Sequence, residues 1–336
     1  MYANARSFVN KREELELAVE QGDFDIIGFT ESWLTDDISD AEMELEGYKI
    51  LRKDRVFDVK TRGGGVAWYI KDDINVVLRD EIANEKFPET IFCSIESNNE
   101  KTLLGLCYRP PGSLVENDEG LFNISEQACR ENNNCVILGD FNYRELVWNQ
   151  METISGDHPF VNCVNENFMH QLVNEPTRKN NFLDLIFSSD ENIVDNISVR
   201  EPFGTSDHGV IEFEVVVSKS KNDNQVQNFN YHKANYNDII KIAISKQWER
   251  INSNSSDDIW GNIKSDLIQI RNDLVPKINQ KNKFRCKWAT KTVKKCRRAK
   301  IRAWNKYIKS GKSLVLYDRY KKKLNRLVKA NSDAKK

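Results

Sequence analysis

The seven cysteines lie scattered at positions 93, 107, 129, 135, 163, 286 and 296, and no two form a Cys-x-x-Cys pair. An odd, dispersed set supplies neither a disulfide framework nor a tetrahedral zinc site. No run of about 18 apolar residues is present to cross a membrane, and no apolar leader opens the chain. No membrane partner is therefore expected, and the expected compartment is a reducing, intracellular one, cytoplasm or nucleus. Histidine is scarce, with four residues in the chain, and they do not cluster. The triple glycine Gly63-Gly64-Gly65 is not followed by Gly-Lys-Ser or Gly-Lys-Thr, so it is read as a turn that permits tight sheet packing rather than as a nucleotide cradle. There are no internal repeats and no low-complexity tract beyond a charge bias.

That bias is the first positive feature. The net charge of −1 conceals two opposite halves. Residues 281–336 hold 22 Lys and Arg against Asp318 and Asp333, which leaves 28 basic and 49 acidic residues before them. An acidic body of −21 thus precedes a basic tail of +20. Such asymmetry predicts a polyanion partner, RNA or DNA, for the tail, set against a merely solvated lysine-rich face. A hydrophobic content of 39% is enough for a real core in the body.

Apolar runs punctuate the body. Val136-Ile137-Leu138 has no polar residue on either face and reads as a buried central strand. It ends in Gly139-Asp140-Phe141-Asn142. Asp140 and Asn142 are two apart, which places both side chains on one side of an extended chain. The pair suits a metal and a water; it also suits a plain turn closing a strand. The same pattern recurs at Asp25–Thr30, a strand that runs into Glu31, and at Leu103–Cys107, which runs into Tyr108-Arg109-Pro110-Pro111. Phe182–Phe187 is a buried strand with Asp184 inside it, and a buried carboxylate needs a partner. Thr205-Ser206-Asp207-His208-Gly209 precedes an alternating strand over 210–215. Helices are expected over 11–21, 119–132 and 158–170, a linker over 218–235, and helices over 236–280 and 286–330.

Glu31, Asp140, Asn142, Asp207 and His208 each stand at a strand end. If the strands share a sheet, these groups converge on one rim. Oxygen ligands without clustered Cys or His favour a hard cation, Mg²⁺ or Mn²⁺. Asp184 could orient His208 and keep it protonated against charge on a pentavalent phosphorus. His158, His170 and His232 read as surface or packing residues.

Seven segments in order carry a resemblance: Asn4-Ala5-Arg6-Ser7, Glu31-Ser32-Trp33-Leu34, Tyr108-Arg109-Pro110-Pro111, Gly139-Asp140-Phe141-Asn142, Pro176-Thr177-Arg178, Leu183-Asp184-Leu185-Ile186 and Ser206-Asp207-His208. Together they resemble the endonuclease/exonuclease/phosphatase superfamily, and within it the endonuclease domain of non-long-terminal-repeat retrotransposons of the jockey and chicken-repeat type. The resemblance covers residues 1–217. It implies a four-layered α/β sandwich, two packed mixed sheets flanked by helices, followed here by a basic α-helical connector over 236–336. It implies that Glu31 and Asp140 serve the metal, Mg²⁺ or Mn²⁺, that Asp207 serves the metal or the water, and that Asp140 positions and deprotonates the attacking water with Asn142 helping to hold it. Asn4 would support the metal-side network, Tyr108 would contact the scissile phosphate, and Asp184 would orient His208. Arg109, Thr177 and Ser206 are the expected phosphate or DNA contacts. The implied reaction is hydrolytic nicking of DNA that leaves a 3′ hydroxyl.

Two departures accompany the resemblance. Only Met1-Tyr2-Ala3 precede the asparagine motif, so the first strand is expected to be clipped and Asn4 loosened. The basic helices are not followed by a Tyr-x-Asp-Asp polymerase motif, as expected of an element fragment without its reverse transcriptase. The reading set against an active endonuclease is a degenerate nuclease fold that only binds nucleic acid; a lipid- or inositol-phosphate hydrolase is the third.

Overall fold

The computed structural model describes residues 1–56, 63–97, 100–146, 148–149, 152–153, 158–216, 234–246, 256–275 and 288–334. The linker expected over 218–235 lies, but for its last two residues, outside them, as does His232. The chain divides into two compact units, Met1–Lys219 with Phe284–Lys336, and Ser220–Lys283.

In chain order the first part of the larger unit is β1 (Tyr2–Asn4), α1 (Arg12–Gly22), β2 (Ile26–Thr30), β3 (Tyr48–Lys53), β4 (Val66–Lys71), β5 (Val76–Leu78), β6 (Thr90–Ser97), β7 (Glu100–Tyr108), α2 (Val115–Glu131) and β8 (Asn134–Asp140). There follow β9 (Trp148–Asn149), β10 (Glu152–Thr153), α3 (Pro159–Glu166), β11 (His170–Gln171), β12 (Asp184–Ser188), β13 (Val194–Arg200) and β14 (Val210–Val215). One sheet has the order β13-β14-β1-β2-β4-β3, the other β11-β12-β8-β7-β6-β5; β9 and β10 form a separate ribbon.

Strand periodicity stacks these sheets into layers. Along β8, Val136 and Leu138 face the other sheet, where they meet Tyr2, Val66 and Trp68, while Cys135 and Ile137 face outward toward Leu121 and Ile124 of α2 and Phe160 of α3. On the first sheet Ala3, Ile27 and Phe29 face outward and are covered by Leu15 and Val19 of α1. The order is therefore helix, sheet, sheet, helix, the expected four-layered α/β sandwich. Each large apolar side chain fully buried between layers contributes about 1.5–3 kcal/mol.

β1 corrects one expectation. Short as it is, it lies in the middle of its sheet, parallel to β2 with Asn4 opposite Thr30 and antiparallel to β14 with Tyr2 opposite Ile211. The Met1 nitrogen donates to the Ile26 carbonyl at 3.0 Å. Asn4 is consequently fixed by neighbours on both sides, not loosened.

The larger unit ends in a helical hairpin, α6 (Lys291–Lys309) and α7 (Leu314–Ala334), with α4 (Tyr236–Ser245) and α5 (Ser256–Leu274) preceding it in the chain. Of the stretch 236–336 expected as one connector, α6 and α7 belong to the unit of the sandwich, and α4 and α5 to the smaller unit, where Lys246 pairs with Asp266 at 2.8 Å. Val293, Cys296 and Leu327 pack on Leu17 of α1. Around this seam α1 is acidic. Its buried Glu14 meets the buried Lys300 at 2.7 Å, and Glu20 meets Lys294 at 2.6 Å. Inside the seam neither Glu14 nor Lys300 is tolerable alone, because an unpaired buried charge costs several kcal/mol. Part of the opposite charge seen in the sequence is thus neutralised within the fold. Trp304, Tyr307, Tyr317 and Tyr320 line the contact between α6 and α7, with Trp304 and Tyr320 ring centres 5.0 Å apart.

Candidate active site

β-register puts the chemistry at one end of the sandwich. Tyr108 lies opposite Asp140 across β7 and β8, and Asp140 opposite Asp184 across β8 and β12. All three follow the inward-facing positions of their strands. Asn4 and Thr30 occupy the matching end of the first sheet, with Glu31 next in the chain. The rim is therefore built from two facing sheets, not from the one sheet the strand ends suggested.

Hydrogen bonds cross from sheet to sheet here. The Tyr2 hydroxyl donates to Asp184 Oδ1 at 2.9 Å and lies 2.9 Å from Thr30 Oγ1. The Asn4 amide donates to Asp140 Oδ2 at 2.7 Å and to Glu31 Oε1 at 3.1 Å. Glu31 also accepts from the Tyr108 hydroxyl at 3.3 Å and from the Trp33 indole at 3.2 Å. His208 Nδ1 sits 2.7 Å from Asp184 Oδ2. Asp140, Asp184 and His208 offer ligand atoms within 4.8 Å of one another, all buried.

The backbone is strained around this rim. Arg6, Ser7, Glu31, Trp33 and Asn142 have positive φ, between 45° and 74°. Each costs about 1–2 kcal/mol in a residue with a Cβ, and such outliers gather at functional sites. The triple glycine supports one of them. Gly65 and Gly64 accept from the Ser32 and Trp33 amides at 3.1 and 2.9 Å, so the turn expected only to permit close packing also anchors the loop after Glu31. A Cβ on Gly65 would run into the Ser32 hydroxyl.

Electrostatics separate the acids. Burial raises the Asp140 carboxyl well above the usual range, and the neighbouring Asp184 charge adds to the rise. Burial alone would lower the His208 imidazole; the charge and hydrogen bond of Asp184 outweigh it and hold the ring up at about 9. His208 is therefore protonated at neutral pH, with Nδ1 committed to Asp184 and Nε2 left to face another group.

Residues 102–212 match the family model described as endonuclease-reverse transcriptase. No curated protein matches the sequence. Among solved structures, the endonuclease domain of TRAS1, a telomere-specific non-LTR retrotransposon, superposes with a TM-score of 0.51 at 15% identity, over 65% of this chain and 97% of that one. The AP endonuclease LMAP from Leishmania major gives 0.50 at 12% identity, over 64% and 87%. The chain shares its fold with these two endonucleases.

Within this fold, Asn4, Glu31, Tyr108, Asp140, Asp184 and His208 come together, but other expected residues are engaged elsewhere. Arg109 was expected to reach phosphate. Its guanidinium grips Asp118 of α2 at 2.6 and 2.9 Å and lies over the Tyr143 ring, so it is a buried structural pair. Asn142 was expected to project beside Asp140. The strand ends at Asp140, Asn142 takes φ +53°, and its amide donates to the Arg109 carbonyl at 2.9 Å. Asp207 was expected at the metal or the water. Its two oxygens are drawn to Arg6 at 3.0 Å and Arg178 at 2.8 Å, and it stands apart from the Asp140 group. Ser206 donates to the Asn4 carbonyl at 2.8 Å and accepts from the His208 amide. Thr177 Oγ1 accepts from the Leu183 and Asp184 amides. Both hydroxyls position residues that the site needs.

Sequence reading missed Tyr2, Arg55 and Arg178. Tyr2 was legible as the inward neighbour of Asn4 two residues on. Arg55 is held by Glu89 and lies 5.6 Å from the Tyr108 ring centre, through a partner 34 residues away that nothing local signals. His158 caps α3 and His170 pairs with Glu191.

The donor set fits a divalent cation. Asp140 Oδ1 is buried without a hydrogen-bond partner, and a buried carboxylate oxygen demands one. A protonated His208 has no lone pair to offer, and Asp184 is committed to it. Asp140, through Oδ1, would hold a hard cation, with Glu31, set beside it by Asn4, as the second carboxylate.

Proposed function

We propose that the chain is a Mg²⁺- or Mn²⁺-dependent endonuclease that nicks DNA and leaves a 3′ hydroxyl, and that it derives from a non-LTR retrotransposon. The observation that carries the reading is the pair of carboxylates bridged by Asn4 beside a protonated, carboxylate-backed histidine. Asp140 receives the proton of the attacking water. The water oxygen bonds to phosphorus as the bond to the 3′ oxygen breaks, and the departing 3′ oxygen takes a proton from solvent to become the hydroxyl. His208 Nε2–H meets the charge that builds on the phosphoryl oxygens, and the Tyr108 hydroxyl lies within reach of the same group. A cation on Glu31 and Asp140 would supply Lewis-acid polarisation of the phosphate. The order of the seven sequence segments and the match over residues 102–212 support the retrotransposon origin.

Conversion of supercoiled plasmid to open circles tests the reading. Nicking is expected with Mg²⁺ and none with EDTA, and soluble inositol phosphates are expected to be left intact. Absence of nicking in the presence of Mg²⁺ and Mn²⁺ would mark the chain as a nuclease fold retained for binding.

The rate should also carry the signature of His208. Its raised pKa means the protonated form is present at neutral pH and is lost as pH rises through about 9. Asp184→Asn removes the largest of the influences that raise it, so the imidazole shifts downward against the same burial. In the variant the fall in single-turnover rate is expected at lower pH than in the parent. An unmoved alkaline limb would show that another group sets it.

A further inference from the structure

α6 carries its basic residues on two opposite faces. Lys294 and Lys300 meet Glu20 and Glu14 of α1, and Arg297 meets Gln21. Lys291, Lys295, Arg298, Arg302, Lys306 and Lys309 recur at spacings of three and four, which gathers them on the other face. All six are exposed, and none has a carboxylate partner among the described residues. The sequence of α6 contains no Asp or Glu to offset them. Like charges one turn apart destabilise a helix by about 0.2–0.5 kcal/mol per pair, so this stripe opposes its own helix unless a polyanion lies against it.

The far end of the helix identifies which polyanion. Just past α6, Lys312 donates to the Lys179 carbonyl and approaches Asn180 Oδ1 at 3.4 Å. That turn also contains Thr177, which holds the Asp184 backbone, and Arg178, which holds Asp207. The hairpin tip thus rests on the turn that braces Asp184. α6 has 19 residues. It is about 28 Å long at 1.5 Å per residue, the rise of about eight base pairs of duplex at about 3.4 Å per step.

We propose that the outer stripe of α6 is a track for the phosphate backbone of the duplex that the active site cuts, holding the DNA to one side of the scissile phosphate. The proposal rests on the endonuclease reading for the identity of the duplex, but its test does not require cleavage. Binding of a duplex of about 30 base pairs is followed by fluorescence anisotropy in EDTA, over a range of salt, for the parent chain and for a variant with all six positions changed to Gln. Neutralising six phosphate contacts is expected to flatten the slope of log Kd against log salt by about 5 and to weaken binding at least about ten-fold near 0.1 M salt. A Lys295→Gln, Arg298→Gln, Arg302→Gln variant is expected to show about half the slope change, and a circular dichroism melt confirms that both remain folded. In nicking assays the six-site variant should raise KM and leave kcat at saturating plasmid unchanged. Unchanged duplex affinity and salt slope would overturn the track. So would a loss confined to single-stranded RNA of the same length. A parent that fails to nick while the slope change persists removes the endonuclease reading and leaves the DNA track standing.

Discussion

Asp140→Ala should lower the single-turnover nicking rate by about three orders of magnitude while leaving the protein as stable as before, or more so. The two effects have one origin. Asp140 is buried, one of its oxygens has no partner, and the Asp184 charge lies beside it. Removing such a carboxylate relieves the fold of a desolvated charge. It also removes the proposed base and a proposed ligand for the cation, effects worth about 10²–10⁴ for general-base catalysis alone. His208→Ala should behave differently. The rate should fall by about 10²–10³ through loss of transition-state charge stabilisation, but Asp184 would be left in the core with Tyr2 as its side-chain partner. Stripping one member from a buried ion pair costs about 3–5 kcal/mol. Rapid-quench nicking together with chemical denaturation separates the two variants. Equal loss of stability in both would show that Asp140 is a structural anchor rather than a poised base.

Gly139→Ala should prevent the sandwich from forming correctly, with a loss above about 4 kcal/mol. The residue has φ +156°, and a Cβ there would drive into the carbonyl oxygen of Cys107 on the neighbouring strand. Backbone cannot step aside as a side chain can, since Cys107 is itself opposite Gly139 in the parallel pairing of β7 and β8. Gly112→Ala is the natural comparison. It has φ +73° and open space around it, so only the conformational cost of about 1–2 kcal/mol applies. Denaturant midpoints of the two variants should differ widely; similar midpoints would show that β7 and β8 can separate locally. Gly139 precedes Asp140, so any accommodation that did occur would displace the proposed base.

These residues also show what the sequence disclosed. β8, β12 and β2 were readable because each is an uninterrupted apolar run with a carboxylate in it or at its end. β1 was not, because three residues carry no period, and its place is decided by β14 and β2 on either side. Asp184 announced its need for a partner through burial, and His208 met it. Asn142 was misplaced because alternation was carried past the residue where the strand stops. Arg109 was misassigned because its partner, Asp118, lies on a helix whose facing side the local sequence leaves open. The basic tail was read by total charge, which could not show that α6 spends one face on α1 and keeps the other free.

The central position of β1 has a consequence for folding. Asn4 lies on a strand completed by β14, and its carbonyl accepts from the Ser206 hydroxyl, 202 residues further along. His208 belongs to that same distant segment. The candidate site is therefore held by contacts of long sequence separation, and the entropy cost of closing such loops comes before the contacts offset it. Its assembly is expected to be slower than that of the local hairpins β3–β4 and β6–β7.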